Sequence, residues 1–131
     1  MKKSIVIMVL VSLLAAQVIA DQSMKIAVAA ADKTATATVI DRAASAPYFL
    51  FFDGKGKLLE AIDNPLKSAD NPGPEIINFL TAKGCTVMVA GFFGPRIVEV
   101  AKAKGVTPVS FKGTAQDAVK SVLQSRNADK R

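Results

Sequence analysis

Residues 86–110 carry the pattern that most constrains the fold, namely a strand, a helix and a second strand in close succession. Thr86–Ala90 is a short run rich in β-branched residues, apolar residues recur at helical spacing within Pro95–Lys104, and Val106–Ser110 resumes the strand pattern. Two strands joined in this way are expected to be parallel, with a right-handed crossover. Pro108 cannot donate to a neighbouring strand, so the second strand is predicted at a sheet edge.

The segments before this unit add a central strand and a hairpin. Met24–Ala30 is nearly all apolar, which is typical of a strand covered on both faces. Tyr48–Phe52 and Lys57–Ile62 are strand-like and flank the turn sequence Asp53–Gly56, so they predict an antiparallel hairpin.

A long loop and two further helices complete the predicted elements. Ala31–Ala46 is rich in Ala, Thr and Asp and predicts a loop, with a short strand near Thr36–Ile40. One helix is predicted at Pro74–Lys83, and another after the capping-box pattern of Thr114–Asp117. The order is strand, hairpin, helix, strand, helix, strand, helix, which predicts an α/β sandwich.

The first twenty residues predict a cleaved signal peptide rather than part of the fold. The start is basic, Ile5–Ile19 is almost entirely apolar, and Val18–Ala20 offers a site for signal peptidase. Cleavage after Ala20 would leave residues 21–131 as one domain, periplasmic or secreted. The apolar run is shorter than the roughly 20 residues that span a bilayer, which argues against a stable membrane anchor. An uncleaved signal anchor is the alternative.

The charge of the chain is mildly basic. The sequence has 17 basic and 11 acidic residues, a net charge of +6. Removal of Lys2 and Lys3 with the signal peptide lowers it to +4. The basic residues are scattered and there is a single Tyr, whereas a nucleic-acid surface needs aromatic side chains interleaved with clustered charge. Nucleic acid is therefore not an expected partner.

Histidine is absent and cysteine occurs once. The lack of histidine excludes histidine-based triads and most zinc sites. With Cys85 as the only cysteine, the domain has no internal disulfide and must be held by core packing. Cys85 directly precedes an apolar strand, so it is predicted to be a packed thiol, with a reactive or metal-binding thiol as the alternative. The residue types leave the metal-ligand set unknown.

The turn Gly91–Arg96 is the strongest candidate for a binding site. Pro95 suits the first position of a helix, and Gly94 as N-cap leaves the N–H groups of the first turn unobstructed. The positive end of the helix, with Arg96, could then bind an anion. The alternative is that the glycines serve only a tight strand-to-helix turn.

Several segments follow one another in an order known from one family. These are Met24–Ala29, Ala46–Asp53 and Gly91–Arg96, with Ala103–Val106 and Gly113–Ala118 downstream. Together they resemble the dinitrogenase iron-molybdenum cofactor-binding family, the nitrogenase accessory factor-like domains. The resemblance implies a ribonuclease H-like, three-layer α/β/α sandwich with a five-stranded mixed sheet in the order 3-2-1-4-5. It also implies binding or carrying of a molybdenum-iron-sulfur cluster or its precursor.

The implied strand order places the binding site. The first and fourth strands would be parallel neighbours, so the loop after Ala30 would face the turn after Ala90 across a shallow crevice. The expected site residues are Arg42, Gly91, Phe92, Phe93, Gly94 and Arg96. Phe92 and Phe93 could equally belong to the core or to the wall of a pocket.

The sequence departs from the family in two respects. Many members carry a histidine followed by Phe-Gly where this chain has Arg42, Ala43 and Ala44. Arginine has no lone pair for a metal but can pair with an anion, so any binding would be electrostatic. The signal peptide is the second departure, because nitrogenase assembly is cytoplasmic.

Three functions follow as hypotheses. The first is a non-catalytic binding or carrier protein for an anionic metal cluster or oxyanion, which it could pass to a protein acceptor. The second is an interaction module that has lost cluster binding, indicated by the missing histidine and the Phe92-Phe93 pair. The third is a metal-dependent hydrolase that uses Asp32, Asp41 and Asp53, although loop aspartates more often form turns.

Overall fold

The computed structural model describes residues 24–69 and 72–129. The predicted signal peptide lies outside these residues. In the described part of the chain, no helix has the length and apolar character needed to cross a membrane.

Five strands form one mixed sheet. Their order is β3-β2-β1-β4-β5, and β1 lies in the middle. β1 pairs antiparallel with β2, and β2 with β3, whereas β1 and β5 both run parallel to β4. The predicted sheet order and the edge position of Pro108 are confirmed. The strands span Lys25–Ala30 (β1), Tyr48–Asp53 (β2), Leu58–Asp63 (β3), Val87–Ala90 (β4) and Thr107–Ser110 (β5).

Three helices cover the two faces of the sheet. They are α1 (Gly73–Ala82), α2 (Pro95–Ala103) and α3 (Ala115–Asp129). Alternate residues of β1 point to opposite faces, so Ile26 and Val28 pack with α3 while Ala27 and Ala29 pack with α1 and α2. All four side chains are fully buried, as expected for a central strand covered on both sides.

The hairpin between β2 and β3 depends on Asp53. Its Oδ1 accepts hydrogen bonds from the N–H groups of Lys55 and Lys57, each at 2.9 Å. Gly56 supplies a positive φ of 87° in the turn. The register shifts between Phe51 and Phe52, which leaves Leu59 of the edge strand without an opposite residue and half exposed.

The predicted loop after β1 lies across the ends of several elements. Its backbone bonds join Ile40 N–H to the carbonyl of Ala29 at 2.9 Å and Val39 N–H to that of Gly113 at 2.8 Å. The predicted short strand at residues 36–40 is wrong, because this segment makes only isolated bridges at Thr38 and Val39. Within three residues the loop pairs both with the end of β1 and with the start of α3, so no regular ladder to one strand forms.

Candidate functional site

The loop after β1 and the turn after β4 touch each other directly. The N–H of Gly91 donates to the carbonyl of Ile40 at 2.9 Å, and the N–H of Phe92 donates to that of Asp41 at 2.8 Å. The predicted crevice is therefore closed over residues 40–41 and 91–92. These two N–H groups are paired with the loop, which leaves them unable to serve as free donors to an anion.

Gly91 makes this contact possible. A Cβ atom at position 91 would lie 2.9 Å from the Cα of Asp41, closer than real Cβ contacts come. Only glycine lets the two backbones approach to hydrogen-bonding distance here. The first glycine of the turn thus has a packing role.

Beside this contact, residues of both segments line a cleft of about 370 Å³. The opposite side of the cleft is formed by the start of α1. Arg42 carries the one ionisable side chain among the described residues that line it. The lining residues are Arg42, Ala43, Ala44, Pro72, Gly73, Phe92, Gly94 and Ile97.

Two helices begin at this cleft. Gly94 is the N-cap of α2 in an extended conformation (φ −68°, ψ 156°), with no side chain capping the helix. The first backbone bond of α2 runs from Val98 N–H to the carbonyl of Gly94 at 3.2 Å, so the N–H groups of Arg96 and Ile97 have no acceptor within the helix. Across the cleft, α1 begins at Gly73.

The beginning of α3 is different, because the long loop covers it. The N–H of Ala115 donates to the carbonyl of Ala37 at 2.8 Å, and that of Gln116 to Ala35 at 2.9 Å. These hydrogen bonds occupy the N–H groups that would otherwise donate to a bound anion. Within the described ranges, the first N–H groups of α2 therefore have no acceptor, whereas those of α3 are paired; a helix N-terminus attracts negative charge.

The six predicted site residues fall into two groups. Arg42, Phe92 and Gly94 line the cleft, and Phe92 is 59% exposed. Gly91 lies beneath the loop contact. Phe93 packs against the buried cluster under α1 and α2, and Arg96 is exposed on the first turn of α2 outside the lining set.

Sequence reasoning missed the contribution of α1 to the cleft. Pro72 and Gly73 form part of its wall, and a Cβ atom on Gly73 would lie 3.4 Å from the side chain of Ile97. This close approach brings the beginnings of α1 and α2 together. The Pro-Gly-Pro sequence at residues 72–74 was the available signal, since it combines a helix start with a residue that has no side chain.

Two of the candidate aspartates serve turns. Asp32 accepts hydrogen bonds from the N–H and the hydroxyl of Thr34, both at 2.8 Å, and these bonds lower its pKa. The pKa of Asp53 is also lowered, chiefly by the hydrogen bond from the Lys57 N–H. Over residues 24–69 and 72–129, no three His, Cys, Asp or Glu side chains are grouped so that they could hold a metal ion.

Cys85 lies away from the cleft, just before β4, whereas the cleft follows the other end of that strand. Its side chain is 5% exposed and belongs to the core under α1 and α2. Burial raises the pKa of the thiol to about 11. The prediction of a packed thiol is confirmed by this burial.

The comparison with protein families agrees with this fold. The family described as dinitrogenase iron-molybdenum cofactor matches residues 24–125. This chain belongs to the dinitrogenase iron-molybdenum cofactor family. The family is of a cofactor-binding or carrier type. Among curated proteins, none matches this sequence.

Solved structures of the same fold are similar over most of their length. A NifB-like protein from Thermotoga, of the DUF35 family, is 30% identical with a TM-score of 0.65, and the match covers 79% of this chain and 90% of that one. The apo form of the orange protein from Desulfovibrio gigas is 23% identical with a TM-score of 0.70, covering 79% and 89%. The likeness to the orange protein concerns the fold alone.

Proposed function

We propose that this protein is a non-catalytic carrier that holds an anionic metal cluster or oxyanion in the cleft beside Arg42. The observation that carries this proposal is the meeting of one arginine and the beginnings of α1 and α2 around a single open cleft. Membership of a cofactor-binding family supports the same function. Within that family, a molybdenum-iron-sulfur cluster or its precursor is the cargo we favour.

The chemistry of the cleft suits an anion held without a direct metal bond. Among the residues that the structure describes, the lining side chains include neither a thiol nor an imidazole nor a carboxylate. The sulfido or oxo atoms of a cluster can accept hydrogen bonds from the guanidinium of Arg42 and from the backbone N–H groups at the start of α2. Because no metal–protein bond has to break, such a cargo could be released to an acceptor protein.

The exposed Phe92 favours one further possibility. This phenylalanine lies at the cleft and is more than half exposed, which is unusual for so large an apolar side chain. It could meet an acceptor protein while cargo is bound, or it could be the centre of an interaction module that binds no cargo. A measurement of cargo binding distinguishes the two functions, because only the carrier binds cargo.

The proposed compartment is the periplasm. It rests on the basic start, the apolar run and the small residues that end at Ala20. Intact-mass analysis of the exported protein should give a chain that begins at Asp21. A membrane-bound chain that retains residues 1–20 would contradict this location.

Two measurements test the proposed function: the metal content of the native protein, and the binding of an anion by the metal-free protein. We expect protein purified without oxygen from its native host to carry molybdenum or iron and a visible absorption band. We expect the metal-free protein to bind tetrathiomolybdate, a coloured anion with four sulfido atoms. If native protein contains no metal and the metal-free protein binds neither tetrathiomolybdate nor molybdate, the carrier function is wrong and the interaction module is favoured.

A further inference from the structure

Asn64 is the one buried polar residue among those that the structure describes, with 6% of its surface exposed. Its side-chain Nδ2 donates to the carbonyls of Ala44 and Ala46, at 3.1 Å and 2.9 Å. Its Oδ1 accepts a hydrogen bond from the N–H of Leu66 at 2.9 Å. A buried amide with all of these bonds made is costly to replace, because each lost partner leaves a buried polar group unpaired.

These bonds hold a short turn that belongs to the cleft wall. Residues Ala43–Ser45 form a single turn of 3-10 helix, closed by bonds from Ser45 N–H to the carbonyl of Arg42 and from Ala46 N–H to that of Ala43. Asn64 holds the far end of this turn. The near end is held by an isolated bridge between Arg42 and Phe92. The backbone of Arg42 is thus fixed from both sides.

Asn64 also holds the segment that follows β3. It follows β3 directly, and its N–H donates to the carbonyl of Pro47 at 3.0 Å while its side chain holds Leu66. One buried amide therefore joins the turn beside Arg42 to the segment that follows β3.

We infer that Asn64 is the positioning residue of the cleft, fixing the backbone turn that follows Arg42 and with it the place from which the Arg42 side chain extends. This inference rests on the proposed function for its biological meaning. Asn64 itself is buried behind the turn and is not among the lining residues, so it acts through the backbone of residues 42–46. A role in global stability alone would give no preferential effect on the turn or on cargo affinity.

The test compares Asn64→Asp with a core control. In Asn64→Asp the acceptor for Leu66 is retained, but the donor to Ala44 and Ala46 becomes a carboxylate oxygen that repels both carbonyls. Val119→Ala is the matched destabilising control, because Val119 lies in α3 and is buried on the opposite face of the sheet. Asn64→Ser, a smaller change, replaces Asn64→Asp if that variant does not fold.

Hydrogen exchange and binding are measured on the same folded proteins. We expect the Ser45 and Ala46 amides to exchange about tenfold faster in the Asn64 variant, and tetrathiomolybdate affinity to fall about tenfold. In Val119→Ala the affinity should stay within about twofold of wild type, because the cleft keeps its geometry. Unchanged exchange at both amides together with unchanged affinity would overturn the inference. If wild type binds no tetrathiomolybdate, the proposed function fails, and the two exchange rates still decide whether Asn64 fixes the turn.

Discussion

Gly91 and Gly94 stand three residues apart and meet different surroundings. At Gly91 a Cβ atom would collide with the backbone of Asp41, whereas at Gly94 no atom of the described residues other than its chain neighbours lies within 4 Å of that position. Gly94 also has a φ of −68°, which any residue adopts. The two positions therefore separate the structural role of the turn from its role in binding.

We expect Gly91→Ala to lower the free energy of unfolding by about 1–3 kcal/mol, because the loop after β1 must move away. Gly94→Ala should change it by less than about 1 kcal/mol, since the loss of a favourable N-cap glycine is offset by lower entropy in the unfolded chain. Urea unfolding followed by circular dichroism measures both. Equal destabilisation by the two substitutions would contradict the assigned roles.

Cys85 gives a second prediction at the scale of single residues. A thiol pKa of about 11 instead of 9.0 lowers the thiolate fraction about 100-fold near pH 8. We expect iodoacetamide to alkylate the folded protein at least about 100-fold more slowly than the urea-unfolded protein. We also expect Cys85→Ser to bind tetrathiomolybdate as wild type does. Loss of a visible cluster band in a folded Cys85→Ser protein would place the ligand at the thiol instead of the cleft.

At the scale of elements, the hairpin β2–β3 should respond to acid through Asp53. The pKa of Asp53 is lower in the folded state than its usual 3.8, so its stabilising contribution is present above that value and is lost as the pH falls through the folded pKa. The effect is small because this carboxylate is almost fully solvated. The matched variant is Asp53→Asn, because an amide keeps an accepting oxygen at this position and does not titrate.

We expect the free energy of unfolding to fall more steeply between about pH 4 and pH 2 in wild type than in Asp53→Asn. Urea unfolding at several pH values measures the slope for each protein. Parallel slopes would mean that the hydrogen bonds from Lys55 and Lys57 do not favour the charged form in the folded hairpin.

Most of the helices and strands could be predicted from the sequence. Apolar runs and the turn residues at 53–56 predicted the central strand and the hairpin, and the helix and strand bounds differ from the structure by one or two residues. These features depend on local pattern, which a single sequence contains. The sheet order came from the family resemblance and is confirmed.

The cleft was harder to predict because it depends on contacts between distant segments. Nothing local in the sequence shows that the loop carbonyls of Ile40 and Asp41 occupy the N–H groups of Gly91 and Phe92. Because this contact closes the space between the loop and the turn, the cleft lies beside the start of α1. Arg42 therefore lines the cleft and Arg96 does not. Every residue type except proline can make backbone hydrogen bonds of this kind, so the amino-acid sequence does not indicate which segments they join.

At the scale of the whole molecule, we propose that a mildly basic domain holds its cargo electrostatically. Its charges are scattered, and the attraction is concentrated where Arg42 and the helix starts surround the cleft. The screening length falls from about 10 Å at 0.1 M salt to about 3 Å at 1 M. We therefore expect tetrathiomolybdate affinity to fall steadily as sodium chloride is raised over this range. Affinity that does not depend on salt would indicate a metal–protein bond.

Whether cargo binds beside Arg42 is tested by the dissociation constant of tetrathiomolybdate for three proteins in the same buffer: wild type, Arg42→Ala and Arg126→Ala. Arg126 is an exposed arginine near the end of α3, on the other face of the sheet, so its removal changes net charge equally without touching the cleft. We predict that Arg42→Ala weakens binding about 10- to 100-fold, the value of a charge-assisted hydrogen bond, while Arg126→Ala changes it by less than about twofold. Equal affinity of Arg42→Ala and wild type, or an equal loss in both variants, would contradict the placement of cargo in this cleft.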